Sequence, residues 1–536
     1  MLKRIAAIGL FVLISVAAVA PIRSYDYFWH LATGRWIVEH HALPTFDPLA
    51  VASAHVPWIN GEWLYEIVLY ALHGIGGDSG ISIINALLIA AIFTASFLFA
   101  SREQETGPAL LIAAVAFAGA SDRLGVRPAA AAALLIVIAL GLLVTRLRLT
   151  PLTIAYACMT IIWINVHPSA LLAPVLALIT MLKRDDERSA GGSPAVPPPA
   201  RRQWTTDRWI VAAVSGLALL VNPFGWNAII APLRLSSDIQ SGAFVNAEWL
   251  PSPFALFPLF YITIAVVVLL FLGARDKRAN AWRFVAFTIL AALAYRYVRN
   301  QGLYFAALPL LVPPLGTLSR RVSIALAACA VLPIAWAFQH DTHRLGIDDE
   351  RFPMRAVAAL QSYKLDGNIY NADQFGGLLE WTFYPSRRVL NDGRNELFHD
   401  YIAADALAHR DSRAWHALLT KYNAVLSVDE YQGRIEVTDV ASGQRRALPA
   451  SLVRYRRKQW ALIAFDDAAM VFARRDAFTP AQLAAIEYRY LVPDDATVGY
   501  ATPQIRDEAR KEIVRARAQF GDIGVVRALE KAAAAD

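Results

Sequence analysis

Long apolar runs separated by short polar connectors fill the first two-thirds of the chain. Runs such as GISIINALLIAAIFTASFLFA (80–100) carry no charge and reach the roughly 18–20 residues needed to cross a bilayer. In hydrocarbon every backbone polar group must be paired within its own segment, so such runs are helices. The pattern predicts about eleven of them, at 5–22, 80–100, 108–121, 128–145, 151–166, 168–182, 209–222, 254–272, 284–298, 301–318 and 322–338. Those at 108–121 and 209–222 are short, as a tilted or broken helix would allow. From about Gly346 the pattern changes. FPMRAVAALQSYKL has apolar residues at helical spacing, GNIYN and RRVLND read as short strands around a helical DQFGGLLEWTF, and AWHALLTKYNAVLSV reads as helix then strand. VRYRRKQWALIAFDD and AAMVFARR suggest a closing hairpin, and from Thr479 the chain is mostly helical to its charged tail. This alternation predicts a small α/β domain with a partly parallel sheet. The expected fold class is a multi-span α-helical membrane protein with a C-terminal soluble α/β domain. Its expected parts are a transmembrane domain over 1–340 and a domain with a helical tail over 345–536. Within the first, 24–79 is the first outer loop with interfacial helices and 183–208 a cytoplasmic linker.

Composition sharpens this picture. A length of 536 residues would ordinarily suggest several soluble domains, but 56% of the residues are hydrophobic and only 18% charged. The net charge of +7 does not point to nucleic acid, because most basic residues punctuate apolar runs. Lys3 and Arg4 precede the first run, and Arg146 and Arg148 follow the fourth. Lys183, Arg184, Arg188, Arg201, Arg202 and Arg208 fill the next basic connector. Arg275, Lys277, Arg278 and Arg283 mark another, and Arg320 with Arg321 a last one. A cytoplasmic N-terminus puts them all inside, and leaves Ser24–Glu66 and everything after about His340 outside. MLKRIAAIGLFVLISVAAVA resembles a secretory signal, but Pro21 at the junction argues for an uncleaved first span. The Pro-rich GGSPAVPPPARR reads as a flexible linker. Cys158 and Cys329 both lie in apolar runs, where packing is the expected role.

Between the first two runs lies a polar, aromatic stretch, SYDYFWHLATGRWIVEHHALPTFDPLAVASAHVPWINGEWLYE. Asp26, His30, Asp47 and Glu62 are its candidates for acid–base chemistry. Each has a structural alternative. Asp26 and His30, four apart, share a helix face and can form a surface hydrogen bond. Asp47 before Pro48 can cap a turn. Glu62 and Glu66 open WLYEIVLYALHGI, an amphipathic stretch expected along the membrane with Glu66 solvated. The tryptophans are expected mostly as an interfacial belt. The same topology collects Arg123, Arg127, Asn165, His167, Asn222, Glu248, Arg296, Arg299 and Asn300 at outward connectors. Arginine is rare on that side, and its planar fork suits phosphate. An outward group of arginines and carboxylates fits a phosphate-linked substrate at the bilayer surface, such as a lipid-phosphate sugar. Structural alternatives stand here too. Asn222-Pro-Phe-Gly is a helix stop, His167 before Pro168 can be a satisfied helix-end histidine, and Arg296 and Arg299 can snorkel to headgroups.

One span followed by a large outer loop with an early aspartate resembles the GT-C class of membrane glycosyltransferases, which includes protein mannosyltransferases and lipid A aminoarabinose transferases. More narrowly, DYFWHLATGRWIVEHHALPTFDPLA with PWINGEWLYE resembles a group of bacterial multi-span proteins. Later landmarks are WINVHP, VNPFG, EWLPSPF, RYVRNQGLYFAALP, NADQFGGLLEWTFYP and VLNDGRNELF. The resemblance implies a GT-C-like fold in a bacterial cytoplasmic (inner) membrane. It implies inverting transfer of a sugar from a polyprenyl-phosphate donor at the outer face, with a glycan, lipid or protein as acceptor and membrane lipid as surroundings. By position Asp26 would be the general base. Tyr27 follows it, so the paired-acid form of many members is absent, which leaves the metal open, a divalent cation being the candidate, and keeps Asp47 and Glu62 as alternatives. Asp392-Gly393-Arg394 matches the narrow group, and a turn with a local ion pair explains it equally well. The competing functions are a non-catalytic component of surface-polysaccharide assembly or export, and a transporter. A transporter would carry its polar residues near mid-membrane, often with an inverted repeat; here they cluster at span ends and no repeat is visible.

Overall fold

The computed structural model describes residues 1–145, 147–183, 208–242, 247–438, 443–497 and 502–534. Arg146 and nearly all of the connector expected as a cytoplasmic linker (183–208) lie outside the described residues. The chain forms two compact units, Met1–Ser24 with Ile59–Gly346, and Tyr25–Trp58 with Ile347–Asp536. Most of the first polar stretch therefore packs with the C-terminal part of the chain.

The first unit is helical. Each apolar run forms helix over much of its length: Leu2–Ala17, Trp63–Ala100, Thr106–Ala120, Pro128–Val144, Leu149–Ile164, 168–182, Arg208–Ala218, Pro258–Gly273, Ala281–Arg296, Gln301–Leu311 and Arg320–Gln339. Among the described residues, Trp63–Ala100 and Arg320–Gln339 are long and apolar enough to cross a membrane, and five shorter apolar helices run 10–17 residues. Gly77, at φ 57°, breaks the first of these, where only a residue without Cβ enters left-handed space freely. Small residues let the helices approach closely. A Cβ on Gly119 would stand 2.3 Å from the Phe305 ring, and one on Gly141 2.3 Å from Phe99. The core is built from Phe93, Phe117, Ala133, Ile136, Trp163, Trp282 and Tyr304, all buried. Outward positions are equally apolar: Ile154, Leu217, Ile262, Leu269, Leu272 and Leu332 are exposed. A helix apolar all round belongs in a core or in lipid. Cys158 and Cys329, expected as packing residues, are exposed free thiols, because their helices present apolar side chains outward as well as inward.

The second unit holds a four-stranded sheet. Its strands are β1 (Asn368–Asn371), β2 (Ala424–Glu430), β5 (Trp460–Phe465) and β6 (Ala469–Arg474), in the order β1-β2-β6-β5. β1 and β2 are parallel, as the helical crossover between them requires, and β2, β6 and β5 are antiparallel. The WALIAF of β5 is buried throughout, which a strand covered on both faces needs. RRVLND, expected as a strand, contributes only isolated bridges at Val389, to Ile369 on one side and Ala50 on the other. Through Val51 N→Val389 O (2.9 Å) and Ala52 N→Leu390 O (3.3 Å), the first polar stretch extends this edge of the sheet. The ribbon of β3 (Arg434–Thr438) and β4 (Arg445–Pro449) was not expected from the sequence. The expected tail helix is two helices, Pro503–Phe520 and Gly524–Ala534.

Candidate functional site

In the second unit, the helix Asp26–His40 lies against the helix Asp373–Phe383. The Gly376-Gly377 pair makes this contact possible. A Cβ on Gly377 would meet the Trp29 backbone nitrogen at 2.7 Å, and one on Gly376 the Asn391 carbonyl oxygen at 2.1 Å. Beneath them lies Arg394, with its side chain 1% exposed. Its Nε donates to Asp392 at 2.9 and 3.0 Å, and its two terminal nitrogens donate to the two oxygens of Asp47, each at 3.2 Å. Nη2 also donates to Asp392 and, at 3.3 Å, to Glu380. The guanidinium stacks 4.6 Å from the Trp58 ring centre and 5.5 Å from that of Trp29. Three carboxylates facing one cation cannot all stay charged in a dry interior. Burial, then the negative charges of Asp392 and Asp47, push Glu380 well up, against Arg394. Burial also pushes Asp392 up, but the charge and hydrogen bonds of Arg394 hold it below the usual carboxylate range. Burial opposes the charge on Arg394, yet the surrounding acids raise it well above its ordinary value. Of the two, Glu380 is the carboxyl that this setting favours protonated and Asp392 the one it favours charged.

This network braces the head of the Asp26 helix. Asp26 is half-buried in the first helical turn. Its Oδ1 accepts from Trp29 Nε1 at 3.2 Å and stands where a Cβ on Gly393 would reach it at 3.1 Å. The turn Asp392-Gly393-Arg394 thus holds its local ion pair and also lies directly under Asp26. Asp47 has a different place. It is buried, accepts from Leu49 N at 3.0 Å and from Ser53 Oγ, and pairs with Arg394. The expected turn cap is present, and both carboxylate oxygens of Asp47 are engaged inside this buried network. His30 is buried with its ring on Trp29, centres 3.6 Å apart. Trp29 and Trp58 are core residues rather than an interfacial belt, because their stretch packs with the C-terminal unit. Sequence reasoning did not single out Glu380, which lies within the landmark NADQFGGLLEWTFYP one turn beyond the Gly-Gly pair.

In the first unit, Glu62 is half-buried at the head of the Trp63 helix. Glu66, expected in solvent, is fully buried and accepts from Asn60 Nδ2 at 2.6 Å; that bond offsets part of its desolvation. Asn165 accepts from Trp63 Nε1 at 2.8 Å and donates to the Val221 carbonyl at 3.0 Å. His167 caps the 3₁₀ turn after it through Ser169 N at 3.1 Å. Asn222 folds the NPFG turn, accepting from Phe224 N at 2.8 Å. Asn300 Nδ2 donates to Leu293 O at 3.3 Å, and Arg296 is exposed beside the Tyr297 ring.

The remaining four come together. Arg127 Nη1 pairs with Glu248 Oε1 at 2.5 Å. Arg299 lies 4.6 Å from the ring centre of Trp249, and Arg123 5.3 Å from that of Phe257. Val298 N→Leu250 O (3.1 Å) ties the turn Ala247–Trp249 to the turn Val298–Asn300. Burial raises the Glu248 carboxyl, but Arg127, then Arg299 and Arg123, hold it below its usual range. Arg123 Nε is buried without a hydrogen-bond partner among the described residues. Among the described residues no group of three or more His, Cys, Asp and Glu could hold a metal ion.

No protein-family model and no curated protein matches the chain. Solved structures do. The apo oligosaccharyltransferase of Archaeoglobus fulgidus superposes with a TM-score of 0.55 at 10% identity, over 97% of this chain and 85% of that one. The same enzyme, AglB, in complex with an inhibitory peptide and a dolichol-phosphate gives 0.54 at 10% identity, over 97% and 84%. Its complex with Zn and sulfate gives 0.51 at 11% identity, over 99% and 83%. At such identities the likeness is one of fold: this chain shares the overall fold of these archaeal oligosaccharyltransferase structures.

Proposed function

We propose that the chain is a membrane glycosyltransferase of GT-C type. It moves a sugar from a polyprenyl-phosphate donor to a glycan, lipid or protein acceptor at the outer face of a bacterial cytoplasmic membrane. In this reading it crosses the bilayer about eleven times, with its N-terminus in the cytoplasm and the C-terminal unit outside. The observation that carries the reading is the gathering of Arg123, Arg127 and Arg299 about Glu248, on a fold shared with an enzyme solved with dolichol-phosphate. Three guanidiniums in a partly dry setting suit a leaving phosphate, whose charge grows as the bond to the sugar breaks.

Asp26 is the general base. It takes the proton of the acceptor hydroxyl as that oxygen attacks the anomeric carbon. The bond from that carbon to the phosphate oxygen breaks, its electron pair leaves with the lipid phosphate, and the configuration inverts. Asp26 is chosen over Asp47 because its carboxylate is half-buried rather than sealed in an ion pair, and over Glu62 because the Trp29 indole donates to it and orients it. Arg394, Asp392 and Glu380 are positioning residues that hold the helix bearing Asp26. No step is assigned to a divalent metal.

The test is Asp26→Asn in cells at matched protein level. A positioned base contributes about 10²–10⁴-fold, so surface-glycan transfer should fall by at least about a hundredfold. Wild-type transfer by Asp26→Asn, with Glu62→Gln equally silent, would remove the enzymatic reading.

A further inference from the structure

The arginine cluster of the helical unit is closed by a carboxylate of its own. We propose that Glu248 is an internal counter-ion which holds the place of a phosphate group beside Arg127 and is displaced when a phosphate monoester binds. The proposal rests on the phosphate-binding reading above.

Four observations carry it. The Arg127–Glu248 pair is short, but the two side chains keep 25% and 34% of their surface exposed. The buried Arg394 pairs, by contrast, are 0–1% exposed. Half-open pairs contribute little net free energy, because water competes for both partners, so this one can exchange. Glu248 also lies on a single 3₁₀ turn, Ala247–Trp249, outside the long helices of its unit. Several cations bear on it. Arg123, Arg127 and Arg299 all act on this one carboxylate, and Asp122 acts on Arg123. A carboxylate brings one negative charge, whereas a phosphate monoester brings nearly two and three acceptor oxygens. Finally, Arg123 Nε is buried and unsatisfied among the described residues, a donor that Glu248 leaves without an acceptor. Carboxylate and phosphate both fit the planar fork of arginine, so one can stand in for the other.

The consequence is specific. A glutamate that held the sugar or the acceptor would weaken binding when neutralised. A glutamate that competes with the phosphate must strengthen it. The experiment uses the full-length protein in detergent and measures the dissociation constants of farnesyl phosphate, inorganic phosphate and farnesol, for wild type, Glu248→Gln and Glu248→Ala. Both variants should bind farnesyl phosphate about five- to tenfold more tightly and leave farnesol unchanged. Arg127→Gln should abolish the gain. Equal tightening for inorganic phosphate supports the counter-ion and identifies the recognised group as the phosphate itself. Tightening confined to farnesyl phosphate supports it with the lipid chain required. If wild type binds farnesyl phosphate and both variants bind it equally or more weakly, the counter-ion proposal fails and the phosphate reading stands. If neither wild type nor variants bind any phosphate, both fail.

Discussion

Arg394→Met is the substitution that most directly tests how Asp26 is held. Methionine fills much of the volume but strands Asp47 and Asp392, whose side chains are fully buried. Breaking a buried ion pair by removing one partner costs about 3–5 kcal/mol, chiefly because a buried charge is left unpaired. Loss of the stacking on Trp58 and Trp29 adds up to about 2 kcal/mol. Protonation of the stranded carboxyls would recover part of this, so about 3–5 kcal/mol is the working figure. For a unit of some two hundred residues, about 2–4 °C per kcal/mol gives a fall in Tm of about 6–20 °C. The assay is thermal unfolding of the full-length protein in detergent, followed by tryptophan fluorescence, since Trp29 and Trp58 flank the guanidinium. Adding Asp47→Asn and Asp392→Asn to Arg394→Met should restore a substantial part of the loss, because no stranded charge remains. A change below about 1 kcal/mol for Arg394→Met, or no recovery in the combined variant, would refute the buried-charge argument.

Glu380→Gln mimics the protonated carboxyl and sets a sign on the pH dependence. Glu380 is raised in the folded chain, so its contribution is present below about pH 4.3, the unfolded value, and is lost as pH rises through the folded value. Glu380→Gln should flatten that decline, and its Tm relative to wild type should increase with pH; a constant difference would contradict the assignment. Asp392 is lowered, so its contribution is lost as pH falls below about 3.9, and Asp392→Asn should weaken the acid limb of the same curve. Gly377→Ala forces a methyl against the Trp29 backbone. It should cost about 1–3 kcal/mol and, because Trp29 holds Asp26, should reduce glycan transfer beyond what the lower Tm explains; unchanged transfer would separate the helix contact from Asp26.

The helices of this chain are legible in its sequence because apolar runs of that length have few other ways to satisfy their backbone. The parallel pairing of β1 and β2 is legible for a similar reason, since the helices between NIYN and AVLSV leave room for a crossover. What local pattern cannot supply is long-range pairing. Asp47 and Arg394 lie 347 positions apart, and without that partner Asp47 reads only as a turn residue or a free acid. The same gap hides the core role of Trp29 and Trp58, since belt and core tryptophans share one composition. Glu66 is misread because its neighbours give an amphipathic pattern, while its burial is set by tertiary packing that includes a bond from Asn60. Arg123, Arg127, Glu248 and Arg299 are brought together by turns, and only their expected sidedness linked them beforehand.

Sugar transfer from a lipid phosphate, with Asp26 as base, is the activity we propose for this chain. The direct measurement uses the full-length protein reconstituted in vesicles with lipid-linked sugars extracted from native membranes, and follows the release of free polyprenyl phosphate. Wild type should release it, and Asp26→Asn should do so at least about a hundredfold more slowly while binding farnesyl phosphate as tightly as wild type. Release by Asp26→Asn at the wild-type rate would contradict the account.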